Sequence, residues 1–180
     1  MRIYLLLTTV FFITTSFAQV DQEWDDYFMP GLGVKSYIPK NHSEIGVYNG
    51  IMTEFVIYAK AKGSVGSGPS RIKTYGNLSI MGSSVKSSND IFFANVGLNL
   101  SYEGKLKRKY LIPYFGLEIG GLFQRDFSTF QFSPVTGIQI VSNKRILWSV
   151  QGGYLYTTKR FDEYSGFSLA SSVNVLLWNN

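Results

Sequence analysis

An alternation of apolar and polar residues with a period of two dominates this chain after its first eighteen residues. This period is typical of β-strands whose two faces meet different surroundings. In the window Leu111–Gln124, Leu117 and Ile119 lie on one face. Glu118 and Gly120 lie on the opposite face. No later window shows the 3.6-residue period of an amphipathic helix, so the pattern predicts strands throughout.

The alternation predicts eight strands. Their lengths are close to the roughly 9–11 residues that a tilted strand needs to cross a bilayer. The connections between them are short and leave no room for crossover helices. The predicted topology is therefore an antiparallel up-and-down meander. The predicted strands are Gly31–Ile38, Glu44–Ala59, Arg71–Met81, Ile91–Tyr102, Leu111–Gln124, Thr129–Val141, Arg145–Thr157 and Gly166–Trp178.

The two faces of the predicted strands indicate which side points inward. The apolar faces are almost free of charge in their middle stretches, and the other faces are rich in Gly, Ser, Asn and Gln. In a membrane barrel the apolar face meets lipid and the interior is polar, the reverse of a soluble barrel. Lipid also leaves no partner for an open sheet edge. The predicted fold class is all-β, a closed antiparallel up-and-down transmembrane β-barrel of about eight strands.

Four ionisable residues occupy mid-strand positions on the polar face: Lys35, Glu54, Lys73 and Glu118. A buried charge is tolerated only when it is paired, so these residues are predicted to form a structural charge cluster in the lumen. Such a cluster would plug the barrel and favour a structural or docking protein over a pore.

Aromatic residues concentrate towards the predicted strand ends, as an interfacial belt of a membrane protein requires. The predicted interfacial aromatics are Tyr102 and Trp148 at one rim, and Phe123, Phe130, Tyr156 and Phe167 at the other.

The first residues predict export. Met1-Arg2 is followed by an apolar run, Ile3–Ile13, and then by small residues up to Ala18. This order is typical of a secretory signal peptide, and the run is short for a membrane helix. We therefore expect residues 1–18 to be the signal peptide, residues 19–30 a periplasmic lead-in and residues 31–180 the outer-membrane β-barrel.

Candidate chemistry is sparse. The chain has no Cys and a single His, His42, in the first predicted loop. Ser-His-Asp hydrolysis would have to recruit His42 at a rim, and a surface role is the preferred interpretation. We predict no enzyme activity, no metal and no cofactor. The net charge of +5 is modest, and the one dense basic cluster, residues 105–109, is interpreted as a solvated turn and not a nucleic-acid site.

The strand pattern over roughly Gly31–Asn180 resembles the small eight-stranded outer-membrane proteins of the OmpA-barrel, OmpX and OmpW type. Gln19 after the predicted cleavage site and the Tyr-, Phe-, Asn- and Lys-rich composition resemble such proteins from Bacteroidota. Two features depart from that family. Two residues follow the last aromatic, Trp178, and the longest connection, Ala61–Ser70, is the second, which the resemblance places on the periplasmic side.

The resemblance and the lumen charges together imply a non-enzymatic barrel in the cell outer membrane with a structural or docking role. An accessory role in a secretion, conjugation or motility machine is one form of it. Outer-membrane lipid and other envelope proteins are the expected partners, with no nucleic acid, and the oligomeric state stays open. A narrow channel for small solutes and a soluble, lipocalin-like periplasmic barrel are the alternatives.

Overall fold

The computed structural model describes residues 27–60, 71–101, 111–143, 146–176 and 178–179. The predicted signal peptide, the Ala61–Ser70 connection, Tyr102 and the basic cluster at residues 105–109 lie outside the described residues. No helix in the described part of the chain is long and apolar enough to cross a membrane.

Long strands account for most of the described residues, and two helices of a single turn lie between them. The helices are α1 (His42–Ile45) and α2 (Phe161–Tyr164). The strands are β1 (Tyr27–Pro39), β2 (Tyr48–Lys60), β3 (Arg71–Ser83), β4 (Ile91–Ser101), β5 (Leu111–Gln124), β6 (Phe127–Asn143), β7 (Ile146–Thr157), β8 (Gly166–Val175) and β9 (Trp178–Asn179).

Each strand from β1 to β8 pairs antiparallel with the next, and β8 pairs with β1, which closes the sheet. The closing seam sets Gly31 opposite Asn174 and Pro39 opposite Gly166. The short β9 continues past β8 along β1, with Trp178 opposite Phe28. The predicted fold class is therefore confirmed: the protein is a closed eight-stranded antiparallel up-and-down β-barrel, and no edge is left unpaired along this seam.

The side chains alternate between the two sides of the wall as predicted. Large apolar side chains point outward, including Leu32, which is 71% exposed, and Leu117, which is 49% exposed. Their neighbours point inward, and Glu118 is only 1% exposed. Since a strand alternates at every residue, this arrangement fixes the register of the whole wall.

The interior is less uniformly polar than predicted. Two buried apolar clusters lie inside, one towards each end of the barrel. The first, which we call the lower cluster, consists of Met29, Val56, Tyr75, Ile112 and Leu147. The second, the upper cluster, consists of Tyr37, Tyr48, Met81, Ile91, Phe93, Leu122, Leu155 and Tyr164. The upper cluster lies at the end that carries α1 and α2.

Two strand starts, those of β1 and β2, differ from the predictions by four residues. β1 begins at Tyr27 and not at Gly31, so the predicted lead-in of residues 19–30 overlaps it. Residues 44–47, predicted as the start of a strand, belong instead to α1 and its exit turn. Gly46 makes that turn at φ 84°, a left-handed conformation that glycine adopts without a steric penalty. The alternation of apolar and polar residues does not by itself reveal such a turn.

Candidate functional site

The interior between the two apolar clusters holds the charged residues and is the candidate site. Glu54 on β2 and Lys73 on β3 form its tighter ion pair, with 2.8 Å between Lys73 Nζ and Glu54 Oε1. Ser172 Oγ on β8 donates a hydrogen bond to the same carboxylate oxygen at 3.1 Å. Lys73 Nζ also lies 4.7 Å from the ring centre of Tyr75, a cation–π distance. Both charges therefore have compensating partners.

The second ion pair joins opposite parts of the wall. Lys35 Nζ on β1 lies 3.7 Å from Glu118 Oε2 on β5. Lys35 Nζ lies 4.8 Å from the ring centre of Phe93 and has no hydrogen-bond acceptor within the described residues. This pair is looser than the first, and the Lys35 ammonium relies on the Glu118 carboxylate to compensate its charge.

A chain of amide side chains extends from Glu118 across four strands. Asn77 on β3 donates to the Glu118 carboxylate. Asn95 on β4 donates to Asn77 Oδ1 at 3.2 Å, and Gln131 on β6 donates to Asn95 Oδ1. The chain, together with Lys35, ties β1, β3, β4, β5 and β6 together through the lumen, so Asn77, the donor to the carboxylate, is itself held in place.

Glycines make room for these side chains. A Cβ atom at Gly120 would overlap the Asn95 side chain, and one at Gly97 would overlap the ring of Tyr75. The alternation of small and large inward residues is what fills a narrow eight-stranded lumen. The interior at this level is therefore occupied by side chains of the barrel itself.

The lower cluster closes the site on one side. Tyr75 and Tyr114 both donate to Gln151 Oε1, at 3.4 and 3.2 Å. Around them lie the buried apolar side chains of the lower cluster, with Leu176 packed against it. The tyrosine hydroxyls thus find their acceptor inside the barrel.

The upper cluster and a cap of loops close the other side. The Tyr37 hydroxyl donates to the backbone carbonyl of Tyr164 in α2, and Tyr164 Oη donates to Gln124 Oε1 at 2.8 Å. The ring of Tyr164 stacks on Phe127 with centroids 5.0 Å apart. An exposed ion pair, Lys40 Nζ to Asp162 Oδ1 at 2.6 Å, joins the first and last loops. The hydrogen bond that Lys40 donates to Asp162 raises the pKa of Lys40.

The structure brings all four ionisable residues predicted from sequence into this one interior layer, each 1–2% exposed. The sequence alone did not reveal the amide and hydroxyl partners of these four residues. It also did not reveal the cap of loops that contains Tyr164. Inward-facing Asn and Gln on neighbouring strands were a usable signal for the partners. No sequence pattern predicted the cap, because α2 interrupts the alternation of apolar and polar residues.

The predicted interfacial aromatics that the structure describes lie on the outside of the wall. Phe123, Phe130 and Phe167 are exposed at the end that carries the helices, and Tyr156 stacks on Phe132 at 5.0 Å. At the other end, Trp148 Nε1 donates to Ser171 Oγ at 2.8 Å. Tyr102 lies outside the described residues.

His42 was the remaining candidate residue from the sequence. His42 begins α1 and is exposed. No group of three or more His, Cys, Asp or Glu residues within the described ranges is arranged to hold a metal ion. In the interior, each of the two carboxylates, Glu54 and Glu118, faces a lysine ammonium.

The chain matches no protein-family model. It also matches no curated protein. Among solved structures it is similar to the crystal structure of Neisserial surface protein A (NspA). The TM-score is 0.55 at 10% sequence identity, and the match covers 83% of this chain and 96% of that chain. At this identity the likeness is one of fold, and it extends over almost the whole length of the neisserial chain.

Proposed function

We propose that this protein is a non-enzymatic β-barrel of the outer membrane that is closed to solutes and serves a structural or docking role. The observation that carries the proposal is the arrangement of the two faces of the wall, which is the reverse of that in a soluble barrel. Its exterior is apolar, whereas its buried charges lie inside, paired and enclosed between two apolar clusters. The likeness of fold to a neisserial surface protein supports this reading.

The exterior requires an apolar solvent. Leu32, Ile51, Phe115 and Phe167 are each 63–71% exposed and belong to a ring of outward apolar side chains around the barrel. Soluble monomers rarely expose contiguous apolar patches larger than a few hundred Å². A closed barrel is one of the two structures that satisfy the backbone in lipid. A soluble, lipocalin-like barrel would need the opposite arrangement of faces, so this alternative is disfavoured.

The location is tested by fractionating cells that express the full chain. We expect the mature protein in the outer-membrane fraction, extractable only with detergent. We also expect it to migrate on gels at a different position when unheated, because the closed barrel resists denaturant until heated. Recovery of folded protein in the soluble periplasmic fraction would contradict the proposal.

The closed interior is tested by single-channel recording in planar bilayers, with a porin from the same preparation as the positive control. We expect no steady conductance from the wild-type protein. Ions would have to pass both apolar clusters and the paired charges of Glu54 and Lys73, where desolvation is costly. Steady conductance through single barrels would move the channel alternative to first place.

The structural or docking role rests on the rigidity of the capped end. Backbone hydrogen bonds join the first and last loops, from Lys40 N to Ser165 O at 2.6 Å and from Asn41 N to Glu163 O at 3.4 Å. A closed barrel with a fixed cap presents a constant surface above the membrane. Such a surface suits an accessory of a larger envelope assembly, such as a secretion, conjugation or motility machine.

A further inference from the structure

The outer wall has a groove on β2 to β5. It has a volume of about 470 Å³, and its lining includes Phe55, Gly76, Leu78, Ala94, Val96 and Ile119. Gly76 lies opposite Phe55 on one side and Val96 on the other, and Ala94 lies opposite Leu78. The two small residues on adjacent strands leave a hollow between large neighbours.

The hollow at Gly76 is empty and faces outward. A Cβ atom at Gly76 would meet nothing nearer than the backbone oxygen of Asn95, at 3.8 Å. Beside the groove on β5, the ring of Phe123 lies over Gly121. Asn77 and Asn95 also border the groove, but both side chains are buried in the lumen. The groove therefore offers hydrocarbon surface and no charged or polar side chain.

We propose that this groove binds one acyl chain of a membrane lipid. The inference rests on the proposed function, because it requires the wall to lie in a bilayer. A groove without charge gives a lipid headgroup nothing to bind, whereas a flexible hydrocarbon chain gains close packing against Phe55, Leu78 and Ile119. The chain would also cover the backbone of β3 and β4 beside Asn77 and Asn95.

A second copy of the barrel fits this groove less well. Stable protein interfaces bury roughly 800 Å² on each partner. Such an interface takes about 20–30 residues a side, whereas nine residues line this groove. A single flexible hydrocarbon chain fits a groove of this size, which favours an acyl chain as the occupant.

The test uses a phospholipid with a photoactivatable diazirine on one acyl chain, incorporated into vesicles that contain the full mature protein. Labelled peptides are then quantified strand by strand by mass spectrometry. We expect severalfold more label on β3 and β4 than on β7 and β8. Gly76→Leu, which fills the hollow from β3, should remove that excess.

Gly152→Leu is the matched control. Gly152 also faces outward with open space above it, but it lies on β7, four strands away around the barrel. This variant should leave the excess on β3 and β4 unchanged. If Gly76→Leu folds poorly, Ala94→Leu fills the same hollow from β4 and should have the same effect.

Three results would overturn the inference. Equal labelling of all strands, or an excess that survives filling of the hollow, rejects the groove and leaves the membrane location intact. A stable dimer that Gly76→Leu dissociates identifies a second copy as the occupant and rejects the acyl chain. No labelling of any outward residue rejects the membrane location itself, and the groove proposal with it.

Discussion

Lys73→Met is expected to lower the free energy of unfolding by about 3–5 kcal/mol, because it leaves the buried carboxylate of Glu54 without its cation. That carboxylate is 2% exposed, and Ser172 is its other hydrogen-bond donor among the described contacts. The measurement is equilibrium urea unfolding of the barrel reconstituted in lipid vesicles. The double variant Lys73→Met with Glu54→Gln should be milder than the single variant, because neither charge is then left unpaired.

Lys40→Met is the control for this prediction. Lys40 and Asp162 lie 2.6 Å apart, a distance similar to that of the buried pair, but their side chains are 54% and 84% exposed. Exposed pairs contribute little, because solvent screens both charges. If Lys73→Met proves as mild as Lys40→Met, the interior is hydrated and the closed layer proposed here is wrong.

Leu117→Arg is expected to lower the free energy of unfolding in lipid vesicles by roughly 2–4 kcal/mol, the cost of a cation on a lipid face near the bilayer midplane. Leu117 lies in the middle of β5, points outward and is 49% exposed. The effect tests the membrane location and the register together, because a shift by one residue would turn position 117 into the lumen.

Leu111→Arg is the matched control on the same strand. Leu111 also points outward, 42% exposed, but it is the first residue of β5 and lies at the rim. Near the interface the cost of Arg falls to about 0–1 kcal/mol. Equal stability of the two Arg variants would argue against a bilayer around the middle of the wall.

Much of the fold was predictable because a β-strand has a period of two and the two sides of this wall meet different solvents. The bounds of β5, Leu111–Gln124, agree with the prediction at both ends. The orientation of Glu118 followed from its apolar neighbours, Leu117 and Ile119. The charged residues were the deciding signal for which face points inward. Few ionisable residues lie in the middle of the strands, and Lys35, Glu54, Lys73 and Glu118 all lie on the polar face.

The prediction was less accurate where a residue type does not reveal its surroundings. Leu147 and Leu155 on β7 point inward and pack in the lower and upper clusters, although a polar lumen was expected. An apolar side chain is compatible with lipid and with a packed interior. Alternation places both residues on the same face as Ser149 and Gln151, but their packing into apolar clusters depends on side chains from other strands.

The sequence by itself determined the strand order, the inward and outward faces and the presence of Lys35, Glu54, Lys73 and Glu118 in the lumen. These follow from local alternation and from the rule that buried charges need partners. The tertiary structure decided which cation meets which carboxylate, because partners such as Lys35 and Glu118 lie on strands far apart in sequence. It also decided the closure by the two apolar clusters and the hollow over Gly76. Both depend on how side chains from several strands fill or leave space, and that is set only when the sheet closes.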